Sequence, residues 1–319
     1  MSAEQTCDVA AVRYLNDVTL DIPSADFERS VDILIGAVQE RLSVCQVRDN
    51  DLSNLQQELA EERSDSELSR ACYLQARAGI DPGDAPSGWL KEVEELSRTT
   101  GSGAIGEVMA LLPEMRGSLK AAREGIENIR RSTHEIDLSW LQMPAGSNPS
   151  ELPWQKGDRL ATDVRRQLGL ESGPFSNSQL ESFFGVKLPM AETGRSLLRG
   201  GYRDNGTKGH TRIAIPPGRP ENQRFYLARV AASALLSADS DHLLPVTDAV
   251  TAMQKSERAF AQELLCPWRD LDAFTDAHGL DEAGIDDAAE HFQVSDWTVR
   301  SALVNKQKLS RDRLPLPLR

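Results

Sequence analysis

The residues near the C-terminus have types and spacing suited to meeting nucleic acid. In "DDAAEHFQVSDWTVRSALVN", Ala289, Val294, Ser295, Thr298, Val299 and Leu303 stand where a helix-turn-helix needs small or apolar packing residues and a cap. Ser295 would cap the second helix, leaving Ser295, Thr298, Arg300, Lys306 and Lys308 to approach phosphates. Gln293 stands at the turn position usually held by glycine, which weakens the match. Other chemistry is sparse. The five histidines, His134, His210, His242, His278 and His291, include no two within one helical turn, and Cys7, Cys45, Cys72 and Cys266 form no CxxC pair. No GxSxG elbow, Walker loop or dinucleotide fingerprint occurs, and "GSGAIGE" reads as a loop opening into a helix. No catalytic residue, metal or cofactor is therefore expected.

Charge separates the chain from its own tail. The 319 residues carry a formal charge of −13, which repels polyphosphate at long range. From Asp296 to Arg319, six basic residues face two acidic ones. No basic start leads into an apolar run, and no apolar stretch is long enough to span a bilayer; a cytoplasmic chain with reduced thiols and no membrane contact is the expectation.

The elements that must position these residues fall into two regions. "QMPAGSNPSELPW", residues 142–154, gathers helix breakers and is read as a domain boundary. Upstream, residues 1–145 read as an all-helical module. Ser24 would cap a long helix in which Val31, Val38, Cys45, Leu52 and Leu59 recur every seven residues, with Phe27, Leu34 and Leu55 on the neighbouring row. Arg41 and Arg48 interrupt that row, so the helix either pairs with a second copy or packs on its own domain. "WLKEVEELSR" starts another helix, and a third helical region is broken at Pro113. Downstream, "GDRLATDVRRQLGL" and "SNSQLESFFG" read as helices and "VKLPM" as a strand. "SLLRGGYRD" and "GHTRIAIPP" read as a hairpin about "NGTKG". Helices over "RFYLARVAASALL" and "VTDAVTAMQKSERAFAQELLCP", and a final helical pair, complete the chain. The fold class is α+β, predominantly helical, with a small antiparallel sheet packed by helices.

Five pieces of this second region, "ATDVRRQLGLESGPFSNSQLESFFGVKL", "GYRDNGTKGHTRIAI", "RFYLARVAASALL", "AFAQELLCP" and "FQVSDWTVRSAL", occur in one order. In that order they resemble the ImmA/IrrE family of zinc-dependent metallopeptidase domains over about residues 155–309. The resemblance implies a zincin-like domain over 155–310, followed by a basic tail over 311–319. It sets "RFYLARVAASALL" in the place of the active-site helix, where the family carries HExxH. There, two histidines four apart share a zinc and the adjacent glutamate activates its water. Here those positions hold Arg229, Val230 and Ser233. Arginine has no lone pair to give, valine accepts no proton, and a serine hydroxyl is a poor zinc ligand. The third ligand would fall near Ser256 or Glu257, and only Glu257 could serve.

The resemblance therefore implies a pseudo-peptidase regulator acting through protein contacts, in bacterial or phage stress, toxin–antitoxin or defence regulation. The helical module would dimerise or dock a partner, and Arg224 or Arg229 would bind an anion or a partner's carboxylate. An internal ion pair of Arg229 with Glu257 or Glu263 is the competing reading. Two other functions stay open: a helix-turn-helix DNA-binding regulator, and a zinc metalloendopeptidase with unorthodox ligands.

Overall fold

The computed structural model describes residues 24–47, 50–81, 83–142, 151–193, 196–204 and 209–314. The chain divides into two compact units, one ending at Ser69 and the other starting at Arg70. The expected division at 142–154 is thus displaced. That Pro- and Ser-rich stretch connects elements within one unit instead of separating two.

The first unit contains α1 (Ser24–Val44) and α2 (Asp51–Ser64). One long helix was expected here, but the chain turns between them. Gln46 takes a left-handed conformation with φ of 64°, and the Asn50 side chain caps α2 by accepting from Ser53 N at 3.0 Å. Arg63 reaches back to Asp32 at 3.2 Å, so the heptad row lies on two helices that touch each other. Little is covered by that contact: Phe27, Ile33, Leu34 and Leu55 are each more than half exposed.

α3 (Ser66–Arg77) crosses the division. The second unit continues through α4 (Trp89–Thr100), α5 (Ala104–Leu111), α6 (Leu119–Arg130) and β1 (Glu135–Asp137). α7 (Pro153–Gln167), α8 (Asn177–Phe184), β2 (Arg199–Arg203), β3 (His210–Ile213) and α9 (Pro220–Leu236) follow. β4 (Leu243–Val246), α10 (Ala252–Leu265), α11 (Trp268–His278), α12 (Glu282–Phe292) and α13 (Asp296–Asn305) complete it, apart from a short 3-10 turn at Arg311–Arg313. The architecture is α+β and predominantly helical, as the periodicities predict.

The four strands form one antiparallel sheet in the order β1-β3-β2-β4, with Glu135 opposite Arg212, Tyr202 opposite Arg212 and Gly201 opposite Leu244. The hairpin β2–β3 was legible in the sequence, whereas β1, β4 and α11 were not. The strand expected at "VKLPM" does not form. Two of its amides are taken by side chains, Leu188 N donating to Glu181 at 2.9 Å and Met190 N to Gln223 at 2.8 Å; Val186 N donates to the Glu181 carbonyl at 3.1 Å, and Pro189 has no N–H to give.

Alternation along the strands explains why the division fell elsewhere. Leu243 and Ala214 join a core with Val93, Ile105, Leu111 and Ile126 of the helices α4–α6. Their neighbours Leu244 and Ile213 point to the opposite face, into a core with Leu160, Val230 and Phe260 of α7, α9 and α10. A sheet covered on both faces binds the two helical layers into one body. α9 approaches the sheet closely because Gly201 has no side chain: a Cβ there would meet Thr211 Cγ2 at 2.6 Å and Val230 Cγ1 at 3.2 Å. Among the described residues no helix is long and apolar enough to cross a membrane.

Candidate functional site

α9 starts at Pro220, whose missing amide suits the first helical position, and is buried nearly all round from Gln223 to Leu235. Such a helix must satisfy internally any polar side chain it carries. Arg229 does so through one terminal nitrogen, Nη2, which donates to Thr247 O at 2.6 Å and Gln254 Oε1 at 2.6 Å and pairs with Glu257 Oε2 at 3.4 Å. Gln254, capped into α10 by Thr251, also donates to Pro245 O at 3.0 Å and to Glu257 Oε1 at 3.2 Å, and accepts from Thr247 N at 2.8 Å. The network ties the end of β4 to α9 and α10.

The positions singled out on α9 and α10 are thus brought together. Arg229 and Glu257 are direct partners, Ser233 is fully buried one turn beyond Arg229, and Val230 packs in the core with no exposure. The internal ion pair, one of the two readings open from sequence, is the arrangement found. Burial pushes the Glu257 carboxyl up to about 8, with Arg229 pulling against that shift and the charge of Glu107 adding to it. Burial also pulls the Arg229 guanidinium down, despite Glu257. Glu107 is itself held at 2.6 Å by Arg77 and at 2.6 Å by the Thr251 hydroxyl. Among the described residues no three of His, Cys, Asp and Glu converge in a way that could hold a metal ion.

Arg224 is not available to a partner, contrary to expectation. It is 1% exposed, and it bonds to Asn177 Oδ1, to Phe175 O and, at 3.4 Å, to Gln293 Oε1. Burial pushes it down to about 10. Gln293 supplies the left-handed turn between α12 and α13, with φ of 54°, and its side chain accepts from Asn177 N at 3.0 Å. The turn between α12 and α13 therefore forms without the usual glycine, because tertiary bonds hold the left-handed residue.

The basic residues expected at phosphates are already occupied. Arg300 is 7% exposed and bonds Glu282 with both terminal nitrogens, Nη1 at 3.2 Å. Lys306 pairs with Asp158 at 3.0 Å, and Lys308 with Asp272 at 2.6 Å and Asp276 at 2.7 Å. Ser295 does cap α13, accepting from Thr298 N at 3.2 Å, but Thr298 is buried. Residues 315–319 of the basic tail, and Cys7, lie outside the described residues; Cys45, Cys72 and Cys266 are free thiols.

What spacing did not show is a cleft of about 890 Å³ beside Arg229. α7 contributes Trp154 and Asp158, α9 Phe225, α10 Lys255 and Arg258, and α13 Trp297. Arg199, Arg229 and Lys306 bring its basic residues to five, against the acidic Asp158 and Asp248. The structure also places His278 and His291, distant in sequence, against one ring: both stack on Phe274, at centroid distances of 4.1 and 4.8 Å.

The chain matches no protein-family model, no curated protein and no solved structure.

Proposed function

We propose that the chain is a non-catalytic, pseudo-peptidase relative of the ImmA/IrrE metallopeptidases, regulating bacterial or phage stress, toxin–antitoxin or defence responses through protein contacts. One observation carries the reading. Arg229, Ser233 and Glu257, the positions that the resemblance assigns to metal ligands, lie in one buried place, and a guanidinium–carboxylate pair fills it. A cation there would have to displace Arg229 from three acceptors and face its positive charge. Val230, buried in the core, offers no base to activate water.

Metal analysis of protein purified without chelators is the direct test. The expected result is no stoichiometric zinc and no peptidase activity; one tightly held zinc per chain would defeat the proposal and revive the metalloendopeptidase reading. The protein-contact half is supported by the apolar residues that α1 and α2 leave exposed. Leu34→Glu should abolish co-purification with a partner encoded beside this chain without unfolding the second unit. Reversal of Arg229 is unsuited to that purpose, because it would strand two buried carboxylates side by side.

The helix-turn-helix alternative loses support from the internal pairing of Arg300, Lys306 and Lys308. Salt-dependent binding to duplex DNA, weakened by Arg300→Ala, would restore it.

A further inference from the structure

The cleft beside Arg229 has a chemistry of its own, separate from any metal site. Its basic residues are unequal. Lys306 is committed to Asp158 at 3.0 Å and sits over the Trp154 ring, 5.5 Å from its centroid. Arg199 leans on Asp248 at 3.6 Å, a carboxylate that is 72% exposed and therefore weakly held. Arg258 and Lys255 differ from both. Arg258 is partly buried, gives one hydrogen bond to the Ala249 carbonyl at 3.2 Å, and like Lys255 has no ion-pair partner among the described residues.

A guanidinium drawn partly out of water with no carboxylate in direct contact keeps donors that an anion in the cleft could take up. Burial holds the Arg258 guanidinium below its ordinary value, although Glu257, Asp248 and Glu107 act on it electrostatically in the opposite sense. The same wall includes Arg229, whose Nε is buried and has no hydrogen-bond partner. Around these cations stand Trp154, Phe225, Trp297 and Pro216, flat apolar surfaces suited to a ring or an aliphatic body. The volume is within the range of small-molecule sites, roughly 300–1,000 Å³. This concentration of positive charge occurs in a chain whose overall charge is −13.

We propose that the cleft is a binding site for a small organic anion, an acid group on an aromatic or aliphatic body. Arg258 and Lys255 receive the acid group, and Trp297 and Phe225 pack the body. Carboxylic acids and phosphate monoesters share this chemistry, and the probes below separate them. The site stands on the cleft alone and would survive failure of the pseudo-peptidase reading.

The five tryptophans make a site-specific readout, because Trp154 and Trp297 line the cleft whereas Trp89, Trp140 and Trp268 do not. Full-length protein labelled with ¹⁵N would be titrated with phenyl phosphate, benzoate, neutral phenol and inorganic phosphate, following the five indole N–H resonances. The expected result is saturable movement of the Trp154 and Trp297 signals with phenyl phosphate or benzoate. Dissociation constants should be on the order of millimolar for probes this small. Phenol and inorganic phosphate, each carrying half of the chemistry, should bind about tenfold more weakly or worse. Whichever acid binds tighter identifies the ligand class.

Arg258→Ala should weaken the tighter probe by about tenfold or more. Lys255→Glu, at an exposed position whose change cannot disturb packing, should weaken it in the same direction and guards against misfolding of the first variant. The proposal is overturned if the two cleft indoles stay still at roughly tenfold above the millimolar range. It is equally overturned if phenol moves them as strongly as the acids, or if both variants bind like the parent.

Discussion

α1–α2 and α9–α10 are both pairs of touching helices, yet each is inside out relative to the other. The first pair leaves Phe27, Ile33 and Leu34 in solvent and buries no residue of α2. The second buries Arg224, Arg229, Gln254 and Glu257 among apolar neighbours. Both depart from the rule that apolar side chains go in and charged ones out, and the departures carry different information. Exposed apolar residues ask for a partner from outside. Buried charges have already found theirs within the fold.

The contrast would be broken most sharply at the ion pair. Arg229→Met, measured above about pH 8 where Glu257 is ionised, should destabilise the second unit by about 3–5 kcal/mol, because that carboxylate would be left buried without its cation. Adding Glu257→Leu should recover most of that loss, since a well-packed apolar pair can replace a buried salt bridge. Urea unfolding of the three proteins checks both statements, and equal losses in the single and double variants would show that Arg229 matters through packing alone.

Close packing rather than charge sets the next effect. A Cβ at Gly157 on α7 would come to 2.3 Å from Ser256 O and 2.8 Å from Phe260 N on α10. Gly157→Ala should therefore cost about 1–3 kcal/mol by thermal or urea denaturation, despite the better helix propensity of alanine.

A dependence on pH sharpens the comparison further, because only the second pair buries carboxylates. Burial raises Glu257 to about 8 and Glu263 to about 7 in the folded chain, against an ordinary value of 4.5. Each group then binds its proton more tightly folded than unfolded. Their contribution to stability is greatest below about 4.5 and is lost as pH rises through about 7–8. Glu257→Gln should flatten the decline between pH 5 and pH 8, measured by denaturant midpoints (bounds of roughly those values follow from the two groups).

The smallest effect on stability is expected in the first pair. Phe27→Ser with Leu34→Ser should change unfolding of the second unit by less than about 0.5 kcal/mol. The same double change should reduce self-association or partner capture, read by light scattering and co-purification. A large loss of stability instead would mean that these side chains are buried in solution.

How much could be read in advance depended on the range over which each signal acts. Helical periodicity is local, so α4, α7, α8, α9, α12 and α13 were legible close to their observed bounds, as was the β2–β3 hairpin about its Gly-containing turn. β1 and β4 were hidden because strands of three and four residues offer no periodicity until a neighbouring strand gives them one. The heptad row through Val31 and Leu59 looked continuous, since the left-handed turn at Gln46 carries no glycine to announce it. For the site, Arg229 and Glu257 were singled out from the sequence, with their pairing as one of two readings; Gln254, Glu107 and Arg258 were not. Nothing in the linear order shows that Glu107 lies electrostatically near Glu257, or that Arg258 opens onto a cleft while its neighbour Glu257 does not.

The sequence by itself determined most of the helical elements, the α+β class and the absence of histidines at 229 and 233, because these depend on residue type and short spacing. Tertiary structure alone decided that the helices α4–α6 share a body with α9 and α10, that Arg229 turns inward, and that Arg258 faces a cleft with no ion-pair partner among the described residues. Those outcomes rest on which face of a sheet or helix another element covers. That choice is made by contacts between residues far apart in the chain, and local patterns do not encode it.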